Sequence, residues 1–395
     1  MEVAFFTESY PPTRDGVAHE TSALARALVR LGHRVQVYAP QPSTDAPPIP
    51  SDPAISVTRL PSVPVPLYPE YRWAVLPFAG LLLARAARRA DVIHLHTPGI
   101  VGSAGFLAAR RYDRPLVGTF HTNVWAMRES FPKTLAVQWF FRAAQWYTLG
   151  TYWRCDVATA PTAEARTALL SGAKKPFKRP VEIVPNGIEL ERFHPDVPTP
   201  DWRARCGLPA VPLVTFLGRL TQDKGVHRFL DAVAEASARQ EFAALVAGGG
   251  PEEVAVRRRI EEDPRLKPRT RYVGPVAEEE KAALLAQSDL FVLPSTSDTS
   301  SVALLEAMAC GTACLASDVG GPKEIIQDGA TGRLAQVGVP GAFGRAIAAL
   351  LDDPQERRRL AREGLAFVRE HASIERTARR FISLYELVLS ERRTA

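Results

Sequence analysis

Short apolar runs alternate with amphipathic stretches along most of the chain, and the runs end repeatedly in small or polar residues. In the first half the runs are VAFFTES, RVQVYAP, ISVTRLP, DVIHLHT, LVGTFHT, DVATAPT and VEIVPN. In the second they are VTFLGRL, FAALVAGG, TRYVGPV, LFVLPST, ACLASDV and GRLAQVG. Near-continuous apolarity over so few residues fits strands covered on both faces, as in parallel sheets. Helical periodicity lies between most of them, for example over Thr21 to Leu31, Val226 to Ala238 and Pro340 to Leu351. Two such alternating sets predict an α/β protein of two doubly wound parallel-sheet domains facing each other across a cleft. NGIELERFHPDVPTPDW is polar, proline-bearing and without period, so the linker is expected between Asn186 and Pro212. A proline-rich surface loop is expected from Pro40 to Pro53. No internal repeat appears at the spacing of solenoid units.

The segment PSTSDTSSVALLEAMACG, from Pro294 to Gly311, carries the most chemistry. An apolar strand enters a polar loop, and a helix is expected to open at Thr299-Ser300-Ser301. Small hydroxyl residues at a helix start leave backbone N–H groups available to an anion. Asp298 in the loop and Glu306 in the helix would flank whatever the anion carries, and carboxylates suit sugar hydroxyls. Taken alone, the segment is better explained as an ordinary capped βα unit with a solvated Glu. VTFLGRL adds a second element, since it ends in Gly218-Arg219 and is followed by Thr221-Gln222-Asp223-Lys224-Gly225. Arg219 and Lys224 then sit at a strand's carboxyl end, where open α/β sheets bind ligands, and a planar fork beside a point charge suits a diphosphate. In the first half, Asp15-Gly16-Val17 lies in the loop after the first strand, with the next helix expected near His19. His121 closes a strand in GTFHTN. His94 and His96 share a strand face without a third ligand in sight, so packing is the expected role for that pair.

GRLTQDKG, the run Ala247-Gly248-Gly249-Gly250, TRYVGPV and PSTSDTSSVALLEAMACG, in this order, resemble the donor half of glycosyltransferase family 4, retaining enzymes of the GT-B fold. The resemblance continues upstream in FFTESYPPTRDGVAHETSALARALVRLGHRV, DVIHLHTPG, VGTFHTN and VEIVPNGIELERF, and so covers nearly the whole chain. It implies an N-terminal acceptor-binding domain over 1–190, a donor-binding domain over 191–372, and a C-terminal helix over 373–395 that packs back on the first domain. It implies transfer of a hexose from a nucleotide-diphosphate sugar to a hydroxyl acceptor. His121 would contact the hexose near the reaction centre, and the Gly16 loop would lie over the phosphates and acceptor. Arg219, Lys224 and the helix start from Thr299 to Val302 would stabilise the departing diphosphate. Asp298 would hold the hexose and Glu306 the ribose, with Gly249 and Val273 also on the donor side. No cofactor and no catalytic metal are implied, and no protein base is strictly required. The chain departs from the family pattern at Asp298, where Glu is usual, at Thr299-Ser300-Ser301, where Gly-Phe-Gly is common, and at Asp15-Gly16, where a glycine pair stands. These changes bear on the donor sugar. The competing readings are a sugar-nucleotide 2-epimerase and a non-catalytic nucleotide-sugar-binding subunit.

Composition then bounds the partners. With 395 residues, 46% hydrophobic and 23% charged, the chain suits two sizeable cores. Cys310 and Cys314 lack a nearby His and are expected in a core. Met1 leads straight into the first strand without a basic leader, and AVLPFAGLLLARAARRA is too interrupted by Arg to span a bilayer. A reducing cytoplasm is the expected compartment. The net charge of +6 admits nucleotide diphosphates or an anionic membrane surface, and no nucleic-acid module appears. WAMRESFPKTLAVQWFFRAAQWYTLGTYWR, Trp125 to Arg154, holds four of the six Trp with Arg128, Lys133, Arg142 and Arg154 interspersed. A further basic cluster runs from Lys174 to Arg179. Aromatics beside cations suit a bilayer interface on the inner face and a lipid-linked acceptor, and an aromatic helix buried in the first domain explains the same residues.

Overall fold

The computed structural model describes residues 1–13, 15–43, 53–65, 68–75, 87–121, 134–173, 176–198 and 201–394. Trp125, Arg128, Lys133, Lys174, Lys175, most of AVLPFAGLLLARAARRA and most of the Pro40 to Pro53 loop lie outside these described residues. The chain forms two compact units, one of 1–187 with 374–395 and one of 188–373.

The first unit opens with β1 (Glu2–Phe6), α1 (Gly16–Arg30), β2 (Arg34–Pro40), β3 (Ile55–Leu60), β4 (Ser62–Val65), β5 (Tyr68–Ala74) and β6 (Val92–Leu95). It continues with α2 (Ile100–Arg111), β7 (Leu116–Thr119), α3 (Leu135–Trp153), β8 (Val157–Ala160), α4 (Ala163–Ser171) and β9 (Glu182–Ile183). The second unit holds α5 (Trp202–Arg205), β10 (Leu213–Leu217), α6 (Val226–Ala236), β11 (Ala243–Ala247), α7 (Glu253–Glu262), β12 (Thr270–Gly274) and α8 (Glu278–Ala286). After these come β13 (Leu290–Leu293), α9 (Val302–Ala309), β14 (Ala313–Ser317), α10 (Gly320–Ile325), β15 (Arg333–Ala335), α11 (Ala342–Asp352) and α12 (Pro354–His371). The last helix, α13 (Ile374–Thr394), belongs to the first unit.

Each unit is built on a parallel sheet, ordered β3-β2-β1-β6-β7-β8-β9 in the first and β12-β11-β10-β13-β14-β15 in the second. Both faces of the first sheet are covered. Along β1, Ala4 and Phe6 enter one apolar core, and Val3 and Phe5 enter another that includes Ile374, Phe381 and Tyr385 of α13. Two-sided burial is why these strands read as unbroken apolar runs rather than alternating ones. Strand order reverses between β1 and β6, and again between β10 and β13. Such switch points splay the loops at the strands' carboxyl ends and open a crevice for ligands.

One element was missed and two expectations need correction. The hairpin β4–β5 was not legible, because its first strand is largely exposed and proline-bearing and so shows no core-facing pattern. The segment expected as a linker is packed instead, since Ile188, Phe193, Trp202 and Leu208 are buried in the second unit's core. Isolated large residues dock there one at a time, so no period betrays them. Helix α1 starts at Gly16 rather than near His19, because the Asp15 carboxylate accepts a hydrogen bond from Ala18 N at 2.8 Å and caps it there.

Candidate functional site

In the second unit the loops after β10 and β13 are tied together at the switch point. Thr296 N donates to Asp223 O at 2.7 Å, and the Arg228 guanidinium donates to Pro294 O at 2.5 Å. Gly225 is in the left-handed conformation with φ +75, and a Cβ there would strike the Pro294 carbonyl, so only glycine lets the two loops approach. This stitching brings the Lys224 ammonium to 2.8 Å from Asp298 Oδ2. Lys224 is 19% exposed and Asp298 8%, so the pair is far less screened than a surface ion pair. Arg219 stands two residues past the end of β10, partly buried. Gly249 and its neighbours pass close under that loop: Leu220 N donates to Gly249 O at 2.8 Å, and a Cβ on Gly248 would collide with Gly218 O.

Helix α9 opens at Val302, later than expected. Thr299 and Ser300 remain in the loop, which is pinned by Gly321 N donating to Asp298 O at 2.7 Å. A Cβ on Gly321 would press on Asp298 O, Ser300 Cα and Thr299 O, at 2.9 to 3.1 Å. The expectation of free N–H groups at this helix start is corrected at Val302, whose N–H turns back to Ser300 O at 2.9 Å. Ser301 is the N-cap without a side-chain cap bond, and its buried hydroxyl meets no partner among the described residues. Glu306 is 2% exposed inside α9. Its charge is felt by Lys281 of α8, which is ion-paired to Glu278: burial would lower the Lys281 pKa, but the carboxylates of Glu306 and Glu278 outweigh that and raise it. Val273 lies on the edge strand β12 and lines a hollow of about 340 Å³ with Trp202, Tyr272 and Pro275.

In the first unit the loops after β1, β6 and β7 meet at the other switch point. Asp15 caps α1 and also accepts from the Ser9 hydroxyl at 2.5 Å. Gly16 is exposed, and a Cβ on it would meet nothing within 4 Å. His121 follows β7, and its Nε2 lies 3.1 Å from His96 Nδ1. Burial lowers the His121 pKa to about 4. Burial, then the neighbouring His94 and His121, hold His96 well below the ordinary value, so both rings are neutral at pH 7. His94 is fully enclosed between the Tyr385 hydroxyl and Thr119 Oγ1, each at 2.7 Å, which accounts for it as a packed residue.

Glu8 was not singled out from the sequence. Its Oε1 accepts from Val101 N at 2.6 Å and Gly102 N at 3.3 Å, while Oε2 is screened from solvent and meets no partner among the described residues. Burial outweighs those two hydrogen bonds and raises its pKa to about 7. The signal available was Gly99, whose missing side chain leaves the space Glu8 fills.

Helix α3 tests one of the two readings of the aromatic stretch, the buried helix. Phe141 is buried at 5%, but Leu135, Trp139, Phe140, Trp146 and Tyr147 are 85%, 74%, 57%, 73% and 39% exposed. The buried-helix reading is therefore wrong for most of these side chains: they share one helical stripe with exposed Arg142, turned away from the sheet. Cys310 and Cys314 are buried free thiols, as expected. Among the described residues no helix is long and apolar enough to cross a membrane.

Two family models match the chain, glycosyltransferase family 4 over residues 14–192 and glycosyl transferases group 1 over residues 200–366. The chain is 29% identical to a GDP-mannose-dependent alpha-mannosyltransferase of Mycolicibacterium smegmatis, over 85% of each chain. It is 30% identical to an alpha-maltose-1-phosphate synthase of Mycobacterium tuberculosis, over 92% of this chain and 93% of that one. Its fold superposes on the Anabaena protein HepE, solved with UDP and glucose, with a TM-score of 0.75 at 19% identity over 98% of this chain and 99% of that one. Two parallel-sheet α/β units, matched family models across both and relatives aligned over 85% and 92% of the chain identify a glycosyltransferase of the GT-B fold, and the chain belongs to glycosyltransferase family 4.

Proposed function

We propose that the protein is a retaining hexosyltransferase that moves a hexose from a nucleoside diphosphate sugar to a hydroxyl of a lipid-linked acceptor at an anionic membrane surface. One observation carries the transfer chemistry: the loops after β10 and β13 set Lys224 against Asp298 at a switch point, with Arg219 at the end of the adjoining strand. A cation already bound to a carboxylate is held where a diphosphate can take it over, and the freed Asp298 then accepts from hexose hydroxyls. Arg219 and Lys224 stabilise the negative charge that grows on the leaving diphosphate as the C1–O bond breaks. A phosphate oxygen takes the acceptor's proton as the new C1–O bond forms on the same face. The reading requires no catalytic metal, because the two cations do that work. Glu306, beside Lys281, holds the ribose, and Gly249 and Val273 line the donor's path along the carboxyl ends of β11 and β12. The M. smegmatis relative makes GDP-mannose the first donor to try.

The acceptor side rests on α3. Its exposed aromatic stripe and Arg142 share a segment, Leu135 to Arg154, that contains no Asp or Glu. Arg154 lies over the Trp153 ring. Rings at headgroup depth beside uncompensated cations fit a bilayer of anionic lipid. Lys178 and Arg179, expected to join this basic face, are taken up by Asp156 and Glu391.

A panel of GDP-mannose, UDP-glucose and ADP-glucose tests the reading, by release of nucleotide and by the anomeric configuration of the product. Arg219→Ala and Lys224→Ala should each lower turnover by about 2–4 kcal/mol of barrier while leaving the fold intact. EDTA should leave turnover unchanged. Near-native turnover in both variants at saturating donor, or an inverted product, overturns it. Flotation with phosphatidylglycerol against phosphatidylcholine vesicles at low salt tests the membrane part. A Trp139→Ser, Trp146→Ser variant that floats as well as the native protein removes α3 from it.

A further inference from the structure

The two imidazoles at the carboxyl edge of the first sheet share a single hydrogen bond, and its direction follows from what surrounds it. His96 is 1% exposed, packed against the Phe5 and His94 rings at centroid distances of 4.5 and 4.1 Å. Its Nδ1 faces His121 Nε2 at 3.1 Å, and its Nε2 meets no partner among the described residues. Between two neutral imidazoles one nitrogen donates and the other accepts. If His121 Nε2 donated, the His96 proton would sit on Nε2, a buried N–H with no acceptor among the described residues. Stranded N–H groups of this kind are rare in folded proteins. In the other arrangement His96 Nδ1–H donates to His121 Nε2, which leaves the His121 proton on Nδ1. We infer that His96 is a positioning residue that fixes His121 as the Nδ1–H tautomer, so that His121 offers a hydrogen-bond donor to an oxygen of the bound sugar substrate.

This rests on the reading of His121 as a substrate contact. His96 never touches substrate. It acts by holding one ring nitrogen occupied and the ring plane fixed, its own ring lying 16° from that of His121. Locking a tautomer through a buried neighbour is a large effect in other enzymes, because the wrong tautomer presents a lone pair where a proton is needed.

Two measurements decide it. In protein carrying 15N-labelled histidine, long-range 1H–15N correlation reads the tautomer of His121 directly and without any reaction. A proton on Nδ1 is expected, and a proton on Nε2 overturns the inference. The second is a set of three substitutions at 96. The amide nitrogen of Asn overlays imidazole Nδ1, whereas that of Gln overlays Nε2. His96→Asn should keep kcat within about threefold of native, and His96→Gln and His96→Phe should each lose about tenfold or more, with KM for the donor little changed. Equal losses in His96→Asn and His96→Gln, in protein that still melts cooperatively, would mean that His96 only packs. If His121→Ala keeps full activity, the substrate role of His121 fails and this inference with it. If His121→Ala is inactive while all three His96 variants turn over normally, the substrate role stands and the positioning role is overturned. Should the His96 variants fail to fold, the tautomer of the native protein still decides.

Discussion

At the residue scale, the sequence placed Lys224 and Asp298 each at a strand end but could not place them in contact. Their meeting depends on Thr296 reaching Asp223 and on Gly321 pinning the loop at Asp298, contacts between positions far apart in the chain. The same reason hid Glu8, and hid the contact between His96 and His121. Residue types at strand ends can be read locally, whereas which of them share a hydrogen bond is a tertiary fact. If Asp298 only held the hexose, Asp298→Asn would leave binding of the free nucleotide unchanged. The ion pair changes that expectation. With Asp, a free diphosphate must compete for Lys224 with a partner 2.8 Å away and largely shielded from water. Asn keeps the shape and removes the competitor. Asp298→Asn should therefore bind free nucleoside diphosphate more tightly, by about 1 kcal/mol or roughly fivefold, while its turnover falls for want of a carboxylate on the hexose. Calorimetry giving weaker nucleotide binding would show that the pair orients Lys224 rather than occupying it.

At the element scale, α2 shows what periodicity cannot report. Its start has no side-chain cap of its own, because the N-cap is Gly99, and the carboxylate of Glu8 from the β1 loop serves there instead. Gly99 leaves room for Glu8, and Gly102 lets the first turn pass the Thr97 carbonyl, so both glycines are fixed by packing at a helix start rather than by a turn. Helices α6 and α11 were legible within a few residues because each has one apolar face on the sheet. The cap on α2 was not, since its partner lies more than ninety residues upstream. The raised pKa of Glu8 has a stability consequence with a definite sign. The folded protein holds the Glu8 proton up to about pH 7, whereas an ordinary Glu releases it near 4.5. Between those values unfolding releases a proton, so the Glu8 contribution to stability falls as pH rises, and the loss is complete above pH 7. Gln keeps an acceptor for Val101 N and carries no charge. Glu8→Gln should gain on the native protein by about 2–3 kcal/mol between pH 4.5 and 7.5, with little difference at the acid end. Urea melts of the two proteins across that range provide the check. A constant difference at all pH values would place the Glu8 carboxyl at an ordinary pKa.

At the scale of the whole molecule, the chain's last element completes its first unit. Helix α13 is read from the sequence as an amphipathic stretch after the second domain, and nothing local says which sheet it covers. In the fold it lies with α1 over β1, β6 and β7. Ile374, Phe381, Leu384, Tyr385 and Val388 are buried there, and the Tyr385 hydroxyl closes on His94. Arg380 pairs with Glu182, and Arg392 with Asp113 and Asp156, across more than 190 residues of sequence. The first unit therefore cannot finish its core until α13 has been made, whereas the second, which is continuous in sequence, can fold as a block. Phe381 tests this coupling, being 3% exposed with its ring 4.9 Å from that of His94. Phe381→Ala removes a ring from a closed core and should cost about 3–4 kcal/mol. The loss should fall on the first unit alone. Amides of β1 and β6 should then exchange at least a hundredfold faster in Phe381→Ala than in the native protein, while those of β10 and β13 keep their native rates. Faster exchange in both sheets to the same degree would mean that the two units unfold as one.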